Sequence, residues 1–436
     1  MLSPVASVPI VEPHPEAIRA ALEQLRNTGA VLRQCPARPR LTRLASLLDG
    51  WADPNSPWRR RLLSALPATT GFAPAAVATG LELALKKWNG AALFDLVERE
   101  FADPTACDGE DTFSARGFPV TAVSLAGCLP TPTLWNLLAP LVLGSPVLVK
   151  PSRGDPITAE LVAASITELD PELGNCIRIV PFPSSDAPST HAFLSADCVV
   201  ATGSDATLRA ICARVTPPQR LIAYGHRLSL TVLGPQALRG EALTRTAEAT
   251  AVDVALWDQL GCLSSIAVYT VGTEKEAGVF AEALAASLTA AEKRWPRGPL
   301  PDSARAAFAH ERALAEMRAA ADPAVQMFED PASRWVVVCE ADGRFRPAPL
   351  YRFVRVHPVH NLAALADALS PVRSHLAAIA AAGFGPDTSR ATRLLGELGA
   401  SRICPPGHLQ APSLGWHHDG QPVLLPLARL TDNELS

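Results

Sequence analysis

The stretch DCVVATGSDATLRAICARV, residues 197–215, decides the fold. Its first half is an apolar run bounded by polar residues, which predicts a buried strand, and DATLRAICARV predicts a helix. A strand joined to a helix through a short Gly-Ser turn is the repeating unit of a parallel sheet that helices cover on both faces. The stretch therefore predicts one βα unit of a doubly wound sheet.

The same alternation extends outward in both directions, from Pro119 to Leu233. Strands are predicted at PVTAVSLA, PVLVK, IRIVPF, RLIAYG and LSLTVL, and helices at TPTLWNLLAPLVL, ITAELVAASITEL and THAFLS. Ligands of such sheets bind beyond the carboxyl ends of the strands. Three short motifs are predicted at such ends, AGCLP (126–130), KPS (150–152) and TGSDA (202–206). None of them fits the GxGxxG or P-loop pattern.

A second α/β pattern begins after residue 240. A helix-rich stretch (242–257) leads to a turn containing Cys262, and strands are predicted at SSIAVYTVG, WVVVCE, YRFVRVHPV, HLAAIAAAG and ASRICP. Helices are predicted near 274–293 and 303–320, and most of the first 110 residues are predicted to be helical. The predicted divisions are a helical N-terminal region (1–110), a nucleotide-binding domain (111–236), a catalytic domain (237–405) and a C-terminal tail returning to the nucleotide-binding domain (406–436).

Composition limits the class of protein. The 436 residues are 48% hydrophobic with a net charge of −4, so the chain can bury a large core and shows no basic excess for nucleic acid. The longest apolar run, residues 134–149, is too short and too interrupted for a membrane span. The nine cysteines are scattered without CxxC pairs, which argues against disulfides and zinc, and the N-terminus lacks the features of a signal peptide. We therefore expect a cytoplasmic globular protein.

Four motifs in a fixed order resemble one superfamily. VLVKPS, ATGSDAT, YGHRLSLTVL and WDQLGCLSS are similar in order and spacing to the aldehyde dehydrogenases. More narrowly, AGCLP, DQLGCLSS and the closing RICPPGHLQAPSLGWHHDGQPVL resemble the LuxC-type branch, the acyl-CoA and acyl-protein thioester reductases. The resemblance covers roughly residues 100–436. It implies a doubly wound cofactor-binding domain beside an α/β catalytic domain.

The activity implied by the resemblance is NADPH-dependent reduction of a fatty acyl thioester to an aldehyde. The acyl donor would be acyl-CoA or an acyl-carrier protein, and a partner acyl transferase or synthetase is also implied, while association into homo-oligomers stays open. Two alternatives remain at this point. One is an NAD(P)-dependent aldehyde dehydrogenase running toward the acid, and the other is a weakened acyl-binding subunit of a multienzyme complex.

Cys262 matches the acyl-accepting nucleophile of the resembling family. Thioester exchange between similar thiols is nearly isoenergetic, so a cysteine thiolate accepts the acyl group and leaves it reducible. The alternative is a buried structural thiol, since free cysteine is among the most buried residue types. The Gln-Leu-Gly sequence directly before Cys262 and the family resemblance favour a nucleophilic role for this cysteine.

Lys150 ends a buried strand in a chain with only five lysines. The resemblance implies that this lysine holds the adenosine ribose of the cofactor, and an ammonium group there also suits a 2′-phosphate. Ser152 and Arg153 are expected to add to the same pocket. The alternative is a solvated charge at the strand end.

Gly203 and Ser204 correspond to the superfamily's glycine-serine turn, at which a helix N-terminus faces the cofactor pyrophosphate. A simple capping turn, with Ser204 or Asp205 as the N-cap, explains the same residues. Both interpretations stay open at this stage.

Two positions depart from the superfamily pattern. Ala223 stands where oxidising aldehyde dehydrogenases carry the glutamate that activates water, and nearby His226 is a candidate acid or base or a structurally bonded histidine. Cys128 stands where the oxyanion-stabilising asparagine is expected, and a thiol is a poor hydrogen-bond donor. We therefore expect stabilisation of the oxyanion to rest more on the backbone N–H of Cys262.

The closing WHHDG motif, residues 416–420, contains three potential metal ligands, His417, His418 and Asp419. Adjacent residues rarely reach one ion together, and no further ligand sits at metal spacing, so no metal site is predicted. The resemblance implies a structural tail that crosses near the active site.

Overall fold

The computed structural model describes residues 10–108 and 113–434. Within them the helices are α1 (Pro15–Leu32), α2 (Ala37–Ala52), α3 (Pro57–Thr70), α4 (Pro74–Leu85), α5 (Gly90–Phe101), α6 (Pro130–Val142), α7 (Ile157–Leu169), α8 (Pro171–Gly174), α9 (Ala187–Phe193), α10 (Asp205–Cys212), α11 (Gly240–Ala255), α12 (Glu274–Arg294), α13 (Asp302–Ala321), α14 (Leu362–Leu369) and α15 (Thr388–Glu397). The strands are β1 (Phe113–Gly117), β2 (Thr121–Ser124), β3 (Val147–Lys150), β4 (Ile177–Ile179), β5 (Cys198–Thr202), β6 (Arg220–Tyr224), β7 (Leu228–Leu233), β8 (Ser265–Val271), β9 (Gln326–Glu329), β10 (Val336–Cys339), β11 (Phe353–Val359), β12 (Leu376–Ala382), β13 (Arg402–Cys404) and β14 (Ala428–Asp432). Strands and helices alternate as predicted, which confirms the α/β class.

The first sheet is fully parallel and has the strand order β4-β3-β2-β5-β6. The chain builds outward from β2 through β3 to β4, then returns to the other side of β2 with β5. Open sheets of this kind bind ligands where the order reverses, beyond the carboxyl ends of the strands. The motifs AGCLP and TGSDA follow β2 and β5, so both lie at this switch point.

The second sheet has seven strands in the order β13-β12-β7-β8-β11-β10-β9, parallel except for β9. The segment LSLTVL, which the predicted divisions include in the nucleotide-binding domain (111–236), forms β7 and pairs with β8 and β12 of this second sheet. The change from the first sheet to the second therefore comes between Tyr224 and Leu228.

The N-terminal helices cover the first sheet. Helix α1 buries Ile18, Leu22 and Leu25, which recur at helical spacing and pack on the core beneath β2 and β3. Helices α2 to α5 share a larger core with α6, α7 and Trp257. The predicted helical N-terminal region is thus confirmed for the residues described.

The C-terminal segment, residues 405–434, runs back to the N-terminal half of the chain. Strand β14 pairs antiparallel with β1. The carboxylate of Glu100 accepts the backbone N–H groups of Val423, Leu424 and Leu425 at 2.7, 2.8 and 2.8 Å. The segment is therefore held at several points before it reaches β1. Among the described residues, no helix has the length and apolar character that crossing a bilayer requires.

Candidate active site

The loop that carries Cys262 has an unusual backbone. After α11, three consecutive residues, Trp257, Asp258 and Gln259, have φ values of +58, +48 and +63°. The left-handed region costs a non-glycine residue roughly 1–2 kcal/mol, so tertiary contacts must hold this conformation. Gln259 is buried, and its Nε2 donates to the carbonyl of Ser265 at 2.9 Å. Strain of this kind clusters at functional sites.

A second left-handed run braces the first. Leu350, Tyr351 and Arg352 have φ values of +67, +56 and +69°. Arg352 is only 1% exposed, and its Nε and Nη2 donate to Asp258 Oδ1 at 2.9 and 2.6 Å. The backbone N–H of Tyr351 donates to the carbonyl of Asp258 at 3.1 Å. A buried ion pair with good geometry thus locks the approach to the cysteine loop.

Cys262 is exposed at the surface, and the surrounding protein partly desolvates its sulfur. Desolvation and the carboxylate of Asp419 raise the pKa of the thiol to about 11, while the backbone N–H groups of Cys262 and Leu263 and the Arg227 guanidinium act in the opposite direction. Ser229 Oγ donates to the carbonyl of Cys262 at 2.7 Å. In the protein without ligand, Cys262 is therefore a neutral thiol that is accessible from solvent and is held in a fixed loop.

Cys128 lies on the loop that contacts this cysteine loop. A Cβ added to Gly261 would lie 2.9 Å from Leu129 Cδ2, so the glycine before Cys262 permits the close approach of the residue after Cys128. Cys128 is half-buried, and burial, with Asp155 next in importance, raises its pKa to about 12. The structure thus brings the β2–α6 loop and the Cys262 loop together, with two neutral thiols.

Lys150 ends β3, two strands from β5 across the switch point. Its Nζ donates to Ser184 Oγ at 3.2 Å and lies 5.2 Å from the centroid of the Phe182 ring. Burial, followed by repulsion from Arg153, lowers the pKa of Lys150. Within residues 10–108 and 113–434, neither cation forms an ion pair with a carboxylate. Two neighbouring cations in that state suit an anionic ligand.

Ser152 has a role inside the loops. Its hydroxyl donates to the carbonyl of Gly127 and accepts the N–H of Gly154 at 3.1 Å, and the residue is buried. Gly127 itself has φ +82°, which favours glycine. Ser152 therefore ties the loop after β3 to the loop after β2, and this contact positions Cys128.

Ser204 caps α10, because its hydroxyl accepts the N–H of Thr207 at 3.2 Å. Ser204 is thus the N-cap of α10, and the pyrophosphate interpretation of the same turn stays a prediction. Gly203 donates its N–H to the carbonyl of Tyr224 at 3.2 Å, and Asp205 accepts the N–H of His226 at 3.2 Å. These bonds join the end of β5 to the end of β6 at the edge of the crevice.

His226 is exposed, and its ring lies 6.0 Å from the ring of His375. Its backbone carbonyl is close to His375 Nδ1, at 3.2 Å. The charges that act on the Cys262 thiol are those of Asp419 and Arg227. The acid or base role of His226 stays a prediction.

Asp419 and Arg227 are the residues that sequence reasoning missed. They form an ion pair at 2.7 Å and line a cavity of about 210 Å³ together with Ala223 and Tyr224. Tyr224 also stacks on His418, with ring centroids 4.5 Å apart. The signal in the sequence is the WHHDG motif, for which no metal site is predicted and which the family resemblance assigns to a structural tail crossing near the active site.

The family profile described as "Acyl-CoA reductase (LuxC)" matches residues 40–431. The chain belongs to this acyl-CoA reductase family. A "Long-chain acyl-protein thioester reductase 2" of Photobacterium leiognathi is 23% identical over 352 residues, which cover 78% of this chain and 70% of that protein. A "Long-chain acyl-protein thioester reductase" of Aliivibrio fischeri is 23% identical over 355 residues, with coverages of 79% and 71%.

Solved structures show the same fold outside the family. An NAD-dependent benzaldehyde dehydrogenase from Corynebacterium glutamicum superposes with a TM-score of 0.71 at 15% identity, covering 98% of this chain and 94% of that one. A salicylaldehyde dehydrogenase from Pseudomonas putida G7 gives a TM-score of 0.71 at 13% identity, with coverages of 96% and 90%. The family member described here therefore has the aldehyde dehydrogenase fold.

Proposed function

We propose that this protein reduces an acyl thioester to an aldehyde, with Cys262 as the residue that accepts the acyl group. One observation carries the proposal: a reachable thiol sits in a braced loop against the β2–α6 loop. The names of the two relatives, both thioester reductases, support the same reaction class. NADPH is the proposed reductant, and acyl-CoA or an acyl-carrier protein is the proposed donor.

In the first half of the proposed reaction, Cys262 Sγ attacks the thioester carbonyl and forms the new carbon–sulfur bond. The thiol proton of Cys262 leaves, the bond to the donor sulfur breaks, and the donor departs as a thiol after taking up one proton. The backbone N–H groups of Cys262 and Leu263 face the sulfur and favour its anionic form. In the second half, one hydride and one proton enter, the aldehyde leaves, and the Cys262 thiol returns.

Ala223 distinguishes reduction from hydrolysis. It is exposed near the end of β6, where its methyl group cannot activate water. The nearby Asp419 carboxylate is engaged by Arg227 through one oxygen. The acyl group on Cys262 should therefore persist until it is reduced, which disfavours the alternative of an aldehyde dehydrogenase running toward the acid.

The crevice of the first sheet fits a phosphorylated nucleotide. Lys150 and Arg153 form no ion pair with any carboxylate in the part of the chain that is described, and Ser204 opens α10 at the switch point. Lys150 would hold the ribose or a 2′-phosphate, Arg153 would add a second cation, and Gly203 would lie beside the pyrophosphate. When bound, a reduced nicotinamide supplies the hydride. The proposed choice of NADPH rests on the family resemblance, and these two cations suit the 2′-phosphate that NADPH carries.

The proposed setting is the cytoplasm. All nine cysteines are free thiols, as expected in a reducing compartment. An acyl transferase or synthetase that delivers the acyl group, and a homo-oligomeric state, belong to the same proposal and rest on the family. The proposed divisions of the chain stay at 1–110, 111–236, 237–405 and 406–436, with β7 counted in the second sheet.

Trapping the acyl group tests the function. The protein incubated with a long-chain acyl-CoA, without reductant, should gain one acyl mass that maps to Cys262, and Cys262→Ala should abolish both this label and aldehyde formation. Cys212→Ala is the matched control, because Cys212 is also an exposed thiol. Full labelling of Cys262→Ala would overturn the assignment. Labelling of Cys262 without NADPH oxidation would instead favour the weakened acyl-binding subunit. Cys128 supports that alternative, because its thiol is a poor hydrogen-bond donor.

A further inference from the structure

A cavity of about 410 Å³ lies between the α12–α13 loop, the first turns of α13 and the turn before β10. Four arginines line it, Arg297, Arg305, Arg312 and Arg334, with Leu300 and Phe308 among the apolar lining residues. This volume falls within the range of about 300–1,000 Å³ for ligand pockets. We propose that this arginine-lined cavity binds the 3′-phosphate and diphosphate of coenzyme A in an acyl-CoA donor.

The four arginines differ in how fully they are paired. Arg312 is held by both carboxylate oxygens of Glu329, at 2.5 and 2.6 Å, so it forms a fixed wall. Arg305 lies 3.6 Å from Asp302 at the surface, and Arg334 lies 3.9 Å from Glu292. Both contacts are longer than charge-assisted hydrogen bonds, so a phosphate can compete for these two guanidinium groups.

Arg297 is the arginine of this cavity whose hydrogen-bonding groups are incompletely paired. In the described chain it makes no ion pair with a carboxylate, and its Nε is buried without a hydrogen-bond partner. Leaving such a donor unpaired is costly, by about 1–3 kcal/mol. Its guanidinium carbon lies 5.1 Å from the centroid of the Phe308 ring. This cation–π contact holds the guanidinium at the cavity wall, where it can meet a phosphate.

The cavity wall is bonded to the loop that leads to Cys262. The N–H of Gly298 donates to Asp258 Oδ2 at 3.0 Å, and Arg297 Nη1 donates to the carbonyl of Tyr351 at 3.4 Å. Asp258 and Tyr351 belong to the two left-handed runs that brace each other. The phosphates of a long donor would thus be held on the same braced framework as the nucleophile, apart from the crevice at Lys150.

This inference rests on the proposed function. It predicts that the cavity binds the phosphate groups of the donor. Acyl-CoA carries the three phosphates, whereas the matching acyl-N-acetylcysteamine thioester carries none. In an Arg305→Ala, Arg334→Ala double variant, the KM for acyl-CoA should rise about tenfold more than the KM for the truncated thioester. For the unmodified protein, added salt should raise the KM for acyl-CoA more than that for the truncated donor.

Arg245→Ala is the matched control. Arg245 and Arg305 are both 69% exposed, and each pairs with a carboxylate on its own helix. The control should leave the ratio of the two KM values unchanged. Equal changes in the two KM values in the double variant would overturn the assignment to coenzyme A. A rise in KM seen only when an acyl-carrier protein is the donor would also overturn it.

A binding measurement separates failure of the site from failure of the proposed function. Adenosine 3′,5′-bisphosphate, titrated calorimetrically, should bind the unmodified protein and Lys150→Ala, and should bind the double arginine variant about tenfold more weakly. Binding that depends on Lys150 alone would overturn the inference. If Cys262 accepts no acyl group from either donor, the proposed function fails while this titration still decides what the cavity binds.

Discussion

Arg227 Nε donates a 2.7 Å hydrogen bond to Asp419 Oδ1, and this ion pair joins the turn between β6 and β7 to the C-terminal segment. The Asp419 side chain is only 7% exposed, and its Oδ2 is buried without a hydrogen-bond partner among the residues described. A carboxylate in this state acts strongly on neighbouring groups, since little water screens it. Asp419 raises the pKa of Cys262, and its ion-pair partner Arg227 lowers it.

Asp419→Asn should lower the pKa of Cys262, because it removes a negative charge that disfavours the thiolate. The unmodified thiol, with a pKa of about 11, should be alkylated by iodoacetamide at a rate that rises with pH up to that value. At pH 8 the variant should react roughly two- to tenfold faster, since one pKa unit corresponds to a tenfold change in thiolate. Glu100→Gln, which weakens the anchoring of the same segment, is the control. Equal rates in Asp419→Asn and the unmodified protein would remove Asp419 from the electrostatics of the site.

Lys150→Ala should raise the KM for NADPH by roughly tenfold, corresponding to about 1.4 kcal/mol of lost binding, with a smaller effect on the acyl donor. The reason is the loss of one of two neighbouring cations, Lys150 and Arg153, that form no ion pair with a carboxylate among the described residues. Lys275→Ala, at an exposed lysine on α12, should change neither constant. An unaltered KM for NADPH in Lys150→Ala would mean that this ammonium group is only a solvated charge at a strand end.

Cys128→Asn should raise turnover. The thiol, with a pKa of about 12, stays neutral and donates weakly, whereas an amide supplies the kind of donor whose loss elsewhere costs on the order of 10²–10³ in rate. Cys128→Ala, which adds no donor, should bring no gain. Aldehyde formation in single turnovers measures the effect. A clear drop with Cys128→Asn would show that the thiol shapes the acyl channel instead.

Ala223→Glu should redirect the product from aldehyde toward acid. A carboxylate near the end of β6 can activate water against the acyl group on Cys262, and such general-base help is typically worth about 10²–10⁴ in rate. The unmodified protein, incubated with acyl-CoA alone, should stay acylated and release little acid, then discharge aldehyde when NADPH is added. The acid-to-aldehyde ratio is the measurement. Rapid acid release by the unmodified protein would favour the oxidising dehydrogenase, with His226 and Asp419 as the groups to test for the base.

Local patterns predicted the alternating strands and helices because each depends on neighbours a few residues apart. Strand β9 was not predicted, since Gln326–Glu329 shows no apolar alternation, and it exists because β10 offers it an antiparallel partner. The sheet membership of β7 also followed from tertiary pairing. Every residue of β7 is buried, and such a strand has the same apolar sequence pattern in either parallel sheet.

The sequence by itself determined the α/β class, the strand ends at which AGCLP, KPS and TGSDA lie, and the cysteine that the family resemblance marks as the nucleophile. Only the tertiary structure decided what surrounds that cysteine. Asp258 and Arg352 are 94 positions apart, and Arg227 and Asp419 are 192 apart. No local pattern records such pairs, because a charge is buried only when the rest of the fold excludes water and delivers its partner.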